Sequence, residues 1–288
     1  MNGSCSKCSR WPSGEPPYAP RKWNESGNNV MSSHNCYSYM LNDLFPGPRK
    51  YHKPQPGWFY KIKSGNKNYN GIGKLNCAET IKGVKKDNPD HLKVLSIKKG
   101  SKYIPPPHHY KGILVVSPDR DYHFARQDNR LLKVYSAIMR HKLQHLSDDR
   151  FIKELVNYSR VYIPEIFKFI PKQLTKPRDR LRFLYKNSKT WSHKPGSSAV
   201  IDRDGDGKLI FDPLKANWDF TSKGGINYSK NCCFFSVPMN THANTFSTGT
   251  PMMQIGASIP TMKARTNIST NKMQQQLDFR VRKILNMK

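Results

Sequence analysis

Gly112-Ile113-Leu114-Val115-Val116-Ser117-Pro118-Asp119-Arg120-Asp121-Tyr122-His123-Phe124-Ala125-Arg126 is the stretch on which the fold is decided. Ile113 to Val116 is the longest aliphatic run of the chain, and its branched side chains suit a buried, pleated surface. Ser117-Pro118-Asp119-Arg120 has the residues of a tight turn, so the chain after it returns antiparallel as a hairpin. Alternation along the return strand puts Tyr122, Phe124 and Arg126 on one face and Asp121, His123 and Ala125 on the other. His123 therefore has a defined side to point to.

On the N-terminal side, Cys36, Met40 and Leu44 recur at helical spacing, with Tyr37 and Leu41 beside them and Ser33 or Asn35 available as a cap. Phe45-Pro46-Gly47-Pro48 ends this short helix, because proline cannot continue the ladder. A basic loop, 49–57, carries His52 and the Pro54-Gln55-Pro56-Gly57 turn. Residues 74–86 read as a second helix and 93–97 as a strand. Beyond the hairpin, residues 129–189 carry Leu131, Leu132, Tyr135, Ile138 and Met139 and then Phe151, Leu155, Tyr158, Ile163, Ile166 and Ile170 at helical spacing, with breaks at Pro164 and Pro171. Residues 190–193 are extended, 202–207 turn sharply, and 208–211 read as a strand closed by Asp212-Pro213.

The expected organisation is an irregular arm, 1–30, docking by Trp11, Tyr18 and Trp23; a domain, 31–235, interrupted by the helical insertion 129–189; and a low-complexity tail, 236–288. Leu277, Val281, Ile284 and Leu285 end that tail as a short basic amphipathic helix. Alone in water it is not stable, so the main domain or a partner must cover it.

The 288 residues include 49 Lys and Arg against 20 Asp and Glu, a formal charge of +29, of which the insertion holds about +10. Such a charge calls for an anionic partner: nucleic acid, an anionic membrane surface, an acidic polymer or acidic neighbours in an assembly. No secretory signal is visible, and no apolar run approaches the roughly 20 residues of a membrane-spanning helix. The expected state is soluble or peripheral. Six cysteines are too sparse for a disulfide scaffold, so most are expected to be reduced thiols, with Cys77 in the core.

Among the residues that could carry chemistry, Cys36 would sit in the first turn of its helix, where unpaired amides and the dipole favour an anion. Its plain alternative is a buried helix cysteine, as the plain alternative for His123 and His193 is a satisfied core histidine. Cys5-Ser6-Lys7-Cys8 is half of a zinc knuckle without a second half nearby, although Cys232-Cys233 could supply one. Asp202, Asp204 and Asp206 with Gly207 resemble the first half of a calcium loop, but Pro213 stands where the closing glutamate belongs, which favours a solvated turn. His108-His109 reads as an exposed loop.

Asn35-Cys36-Tyr37, Lys53-Pro54-Gln55-Pro56-Gly57, Asp121-Tyr122-His123-Phe124-Ala125-Arg126-Gln127-Asp128, Trp191-Ser192-His193-Lys194-Pro195-Gly196 and Asp212-Pro213 occur in one order. In this the chain, over about residues 23–235, resembles a set of bacterial and large-DNA-virus proteins similar to the NlpC-type papain-like superfamily. The resemblance implies an α+β fold: a papain-like antiparallel sheet with an N-terminal nucleophile helix, here carrying a helical insertion and an extended C-terminal tail. It also implies a Cys-His-His triad of Cys36 as nucleophile, His123 as general base and His193 as orienting residue, with no cofactor and no metal. The implied substrates are amide bonds of peptidoglycan stem peptides, isopeptides, or thioester and ester acyl groups. The expected activity is that of a cysteine peptidase, amidase or acyltransferase. Two alternatives stand beside it: a basic minor capsid protein that binds other virion proteins through insertion and tail, and a non-specific binder of nucleic acid. A virion location follows if the chain is viral, a cytoplasmic one otherwise.

Overall fold

The computed structural model describes residues 14–25, 30–43, 53–58, 60, 75–90, 92–140, 146–239, 277 and 279–285. The Ile113–Val116 run lies within a strand, His109–Ser117, and after the turn Asp121–Asn129 returns antiparallel, with Val115 opposite His123 and Leu114 opposite Phe124. Numbered in chain order, the strands are β1 Lys93–Leu95, β2 His109–Ser117, β3 Asp121–Asn129, β4 Lys189–His193 and β5 Lys230–Pro238. They form one antiparallel sheet in the order β1-β5-β2-β3-β4. The fold is mixed α+β.

Alternation divides the sheet into two buried faces. Leu114, Val116, Tyr122, Phe124 and Phe235 pack with Cys36, Tyr37, Met40 and Val84 of two helices, α3 (Cys36–Met40) and α4 (Cys77–Asp87), which follow the short turns α1 (Pro20–Trp23) and α2 (Val30–Ser33). Ile113, Val115, Ala125, Trp191 and Phe234 pack on the opposite side with Ile210 and Trp218 of the segment between β4 and β5. Gly112 permits the close approach of α3: a Cβ there would lie 2.7 Å from the Met40 sulfur.

The structure departs from the sequence reading at four places. Helix α3 stops at Met40 because Asn42 takes a left-handed φ of 53°, a conformation asparagine tolerates better than most residues; Leu44 lies outside the described residues. Residues 97–102 form a helix, α5 (Ile97–Lys102), capped by Ser96, so β1 ends at Leu95. Residues 208–211 make only an isolated bridge, Arg203 to Leu209, instead of a strand. Finally, Cys77 and Cys232 form a disulfide that ties the start of α4 to β5, which corrects the reading of Cys77 as a core thiol. Cys36 and Cys233 are free and buried, and Cys5 and Cys8 lie outside the described residues.

The segment between β3 and β4 is helical: α6 (Leu131–Arg140), α7 (Asp148–Tyr162), α8 (Pro164–Phe167) and α9 (Pro177–Asn187). Proline opens α8 and α9, where its missing N–H removes no ladder bond. Leu131, Ile138, Phe151, Leu155, Ile166, Leu181 and Leu184 build a core of their own, completed by Leu277, Val281, Ile284 and Leu285. The C-terminal helix is thus covered by its own chain, each of those four side chains contributing roughly 1.5–3 kcal/mol by burial. The Arg280 guanidinium, 3.9 Å from the Phe151 ring centroid, fixes its placement. This helical layer leaves the sheet at the Asn129–Lys189 pair, six residues along β3 from His123, about 20 Å at strand rise.

Candidate active site

Helix α3 is held at its N-terminus by Asn35. Its side-chain oxygen accepts the amides of Tyr37 and Ser38, both at 3.1 Å, while its own amide donates to Ser38 Oγ at 3.0 Å, a reciprocal capping box. The Asn35 Nδ2 donates to the Pro54 carbonyl at 2.7 Å, and Tyr122 donates its hydroxyl to Gln55 Oε1. The Pro54-Gln55 turn is therefore tied to the residues on either side of Cys36: its cap and the strand beneath it.

The last β3–β4 pair is Ala125 with His193, so β3 extends past the end of β4 at residues 121–124. Cys36 fills that edge. Its Sγ lies 4.0 Å from the Tyr122 carbonyl and is acted on by the Phe124 amide, the two backbone groups that flank His123. No hydrogen bond links the sulfur to either imidazole. Burial pushes the thiol up to about 12, with Asp121 adding to the rise and the Phe124 amide, Lys194 and the Tyr37 amide opposing it. Desolvation thus outweighs the helix terminus, and the resting group is a thiol.

The two histidines are brought together. His123 Nε2 lies 2.7 Å from His193 Nδ1, and His193 Nε2 lies 3.0 Å from the Arg203 carbonyl. A carbonyl only accepts, so His193 carries its proton on Nε2 and offers a lone pair at Nδ1. His123 must then donate from Nε2, which leaves its Nδ1 as the bare nitrogen. Burial holds both rings neutral: His193 is lowered to about 4, and His123 lies well below its usual value, with His193 adding to the effect.

Aromatic residues wall this pair. Tyr228 stacks on His123 with ring centroids 5.1 Å apart and donates to Asp121 Oδ2 at 2.9 Å, while Trp218 and Phe220 pack on His193 at 5.4 and 5.5 Å. Exposures of 5% for Cys36, 2% for His123 and 0% for His193 make this a closed site.

Two supports were not read from the sequence. Lys194 is buried, and its ammonium donates to the carbonyls of Met31, Gly196 and Ser198 at 2.6, 2.9 and 2.9 Å. Burial, aided by Lys53, lowers it to about 8. On the α3 face, buried Arg126 donates to Asp128 Oδ1 (3.0 Å), Asn42 Oδ1 (2.7 Å) and the Tyr39 carbonyl (3.1 Å). Asp128 Oδ2 accepts from Ser192 Oγ, which accepts in turn from the Tyr39 hydroxyl at 2.6 Å. This network pins the β4 residue just before His193. Its signal in the sequence was the pair Arg126 and Asp128 on a strand otherwise apolar on that face.

Among the described residues no cluster of three His, Cys, Asp or Glu could hold a metal ion. Asp202 pairs with Arg130 and Arg203, Asp204 accepts the amides of Lys208 and Asn217, and Asp206 accepts from Lys208 Nζ and Asn217 Nδ2. The carboxylates of the calcium-like turn are thus spent on its own folding. Gly205 is required there, since a Cβ would lie 2.0 Å from the Asp219 carbonyl oxygen. Cys232, held in the disulfide, is no zinc ligand. No helix among the described residues is long and apolar enough to cross a membrane. No family model, curated protein or solved structure matches the chain.

Proposed function

We propose that the chain is a thiol hydrolase or acyltransferase of papain-like (NlpC-type) architecture, with Cys36 as nucleophile, His123 as general base and His193 as orienting residue. The observation that carries the reading is the Arg203 carbonyl–His193–His123 relay, whose polarity leaves His123 Nδ1 unprotonated. A buried neutral imidazole with one free lone pair is a proton acceptor awaiting a donor, and the Cys36 thiol, held against the backbone groups that flank His123, is the donor of this reading.

In this reading the Cys36 sulfur leaves its niche between the Tyr122 carbonyl and the Phe124 amide as substrate enters. Its proton passes to His123 Nδ1 as the sulfur attacks an acyl carbonyl, and the imidazolium returns that proton to the leaving group. Water then resolves the acyl-enzyme with His123 again as base. Because Asn35 occupies the amides of Tyr37 and Ser38, the first turn of α3 offers the oxyanion only the Cys36 amide. Entry requires the Pro54-Gln55 turn or the Tyr228 wall to open.

The burial of Cys36 favours a second reading, in which the fold is kept as a scaffold within a virion and the thiol is a core residue. One experiment separates the two. Labelling with iodoacetamide, with hydrolysis of a panel of amides and thioesters measured alongside, should modify Cys36 and lose both label and turnover in Cys36→Ala. A native chain in which Cys36 resists the reagent as fully as Cys233 would overturn the hydrolase and leave the scaffold.

A further inference from the structure

The strongest unused feature lies on the helical layer, away from the sulfur. Phe169 and Phe211 are 51% and 39% exposed, yet they touch each other edge to face, with ring centroids 5.6 Å apart at 82°. One ring comes from the loop after α8, the other from the segment after β4. Single exposed apolar side chains are ordinary on a protein surface, but here two phenyl rings in contact both keep a large share of their surface in solvent.

The surroundings of that pair are cationic. Lys168 has its ammonium 5.3 Å from the Phe169 ring centroid, and Lys172 and Lys176 follow in the same exposed loop. None of the three forms an ion pair among the described residues, and no acidic residue occurs from 166 to 178. Arg178 is already matched, by Asp149 at 3.4 Å. The loop therefore adds unneutralised positive charge to a chain that carries +29 overall.

We propose that the Phe169–Phe211 pair and the Lys168, Lys172 and Lys176 loop form a stacking platform for single-stranded nucleic acid. Lysines neutralise the phosphates and the phenyl faces take unpaired bases, a combination that tolerates any sequence. Charge alone fits any polyanion; the exposed rings select a strand whose bases are free to stack. The platform does not depend on Cys36.

The test is fluorescence anisotropy of the full chain with labelled oligo(dT), a duplex of equal length and poly-glutamate as competitor, across a salt series. The expected results are tighter binding of oligo(dT) than of duplex, and a loss of at least about fivefold in Phe169→Ala and in Phe211→Ala with the melting midpoint unchanged. Replacing the three lysines by Gln should flatten the log–log salt slope by about 2, from roughly 0.7 per phosphate on a single strand. Cys36→Ala should bind as the parent does. Equal affinity for duplex, no loss in the phenylalanine variants, or equal competition by poly-glutamate would each overturn the proposal, the last by assigning the surface to acidic polymers or proteins.

Discussion

If the relay holds both imidazoles neutral, acid must weaken the fold in a defined window. His193 titrates near 4 in the folded chain against an ordinary 6.5, and His123 is lowered in the same direction. In the unfolded chain both rings take up a proton as pH falls through 6.5, while in the folded chain His193 does so only near 4. Unfolding therefore binds protons between those values, and stability that is complete above 6.5 is lost as pH falls. A separation of about 2.5 units at about 1.4 kcal/mol each gives about 3.5 kcal/mol from His193 alone, of which about 3 is lost by pH 4. Denaturant titrations of the parent and of His193→Gln, run from above 6.5 down to 4, measure this. The variant should be less stable at neutral pH, having lost the hydrogen bond at Arg203, yet its profile should be flatter by up to about 3 kcal/mol. Buried Asp128, raised by its burial, titrates with the opposite sign but is present in both proteins and cancels in the comparison. Parallel profiles would show that His193 does not fold as a buried neutral ring, and the tautomer argument for His123 would go with it.

Three further outcomes follow from the packing. The Cys77–Cys232 bond spans 155 residues, so Cys77→Ala should lower stability by about 5 kcal/mol on the loop-entropy estimate, and reductant should lower the parent alone; identical denaturation midpoints with and without reductant would contradict the bond. Asp128→Asn leaves Arg126 buried without its charge partner, and a loss of roughly 3–5 kcal/mol is expected in urea titration, with Arg126→Met/Asp128→Leu recovering part of it. Leu277→Ala should cost about 2–5 kcal/mol whereas Phe279→Ala, 73% exposed two residues later, should stay within about 0.5; equal effects in thermal melts would remove the C-terminal helix from the helical core.

The β2–β3 hairpin was legible because its signals are local: an apolar run, a turn and an alternating return strand. The helices of the insertion were legible for the same reason, since Leu131 to Ile170 keep helical spacing through the proline breaks. β5 was not, although Cys233-Phe234-Phe235 is apolar. Its place between β1 and β2 depends on pairing with strands more than a hundred residues earlier, which no local pattern encodes. The disulfide escaped for the same reason. At the site, the face of His123 could be read and its pairing with His193 expected from the resemblance, but the group that sets their tautomer is a backbone carbonyl at Arg203, and backbone groups leave no mark in a sequence. The three carbonyls around Lys194 were hidden in the same way. Burial of Cys36 was weighed as the plain alternative, and its effect on the thiol reverses the expectation drawn from the helix terminus.

The helical layer is finished by residues made long after the rest of it. Leu277, Val281, Ile284 and Leu285 fill a groove whose other walls, α6 to α9, are synthesised before any of 190–276. During that interval the nascent protein exposes an apolar furrow beside a lysine-rich loop, a combination prone to clumping and attractive to chaperones. Yield in expression trials should accordingly depend on elongation speed through 190–276 and on growth temperature, more than the equilibrium stability of the completed fold implies.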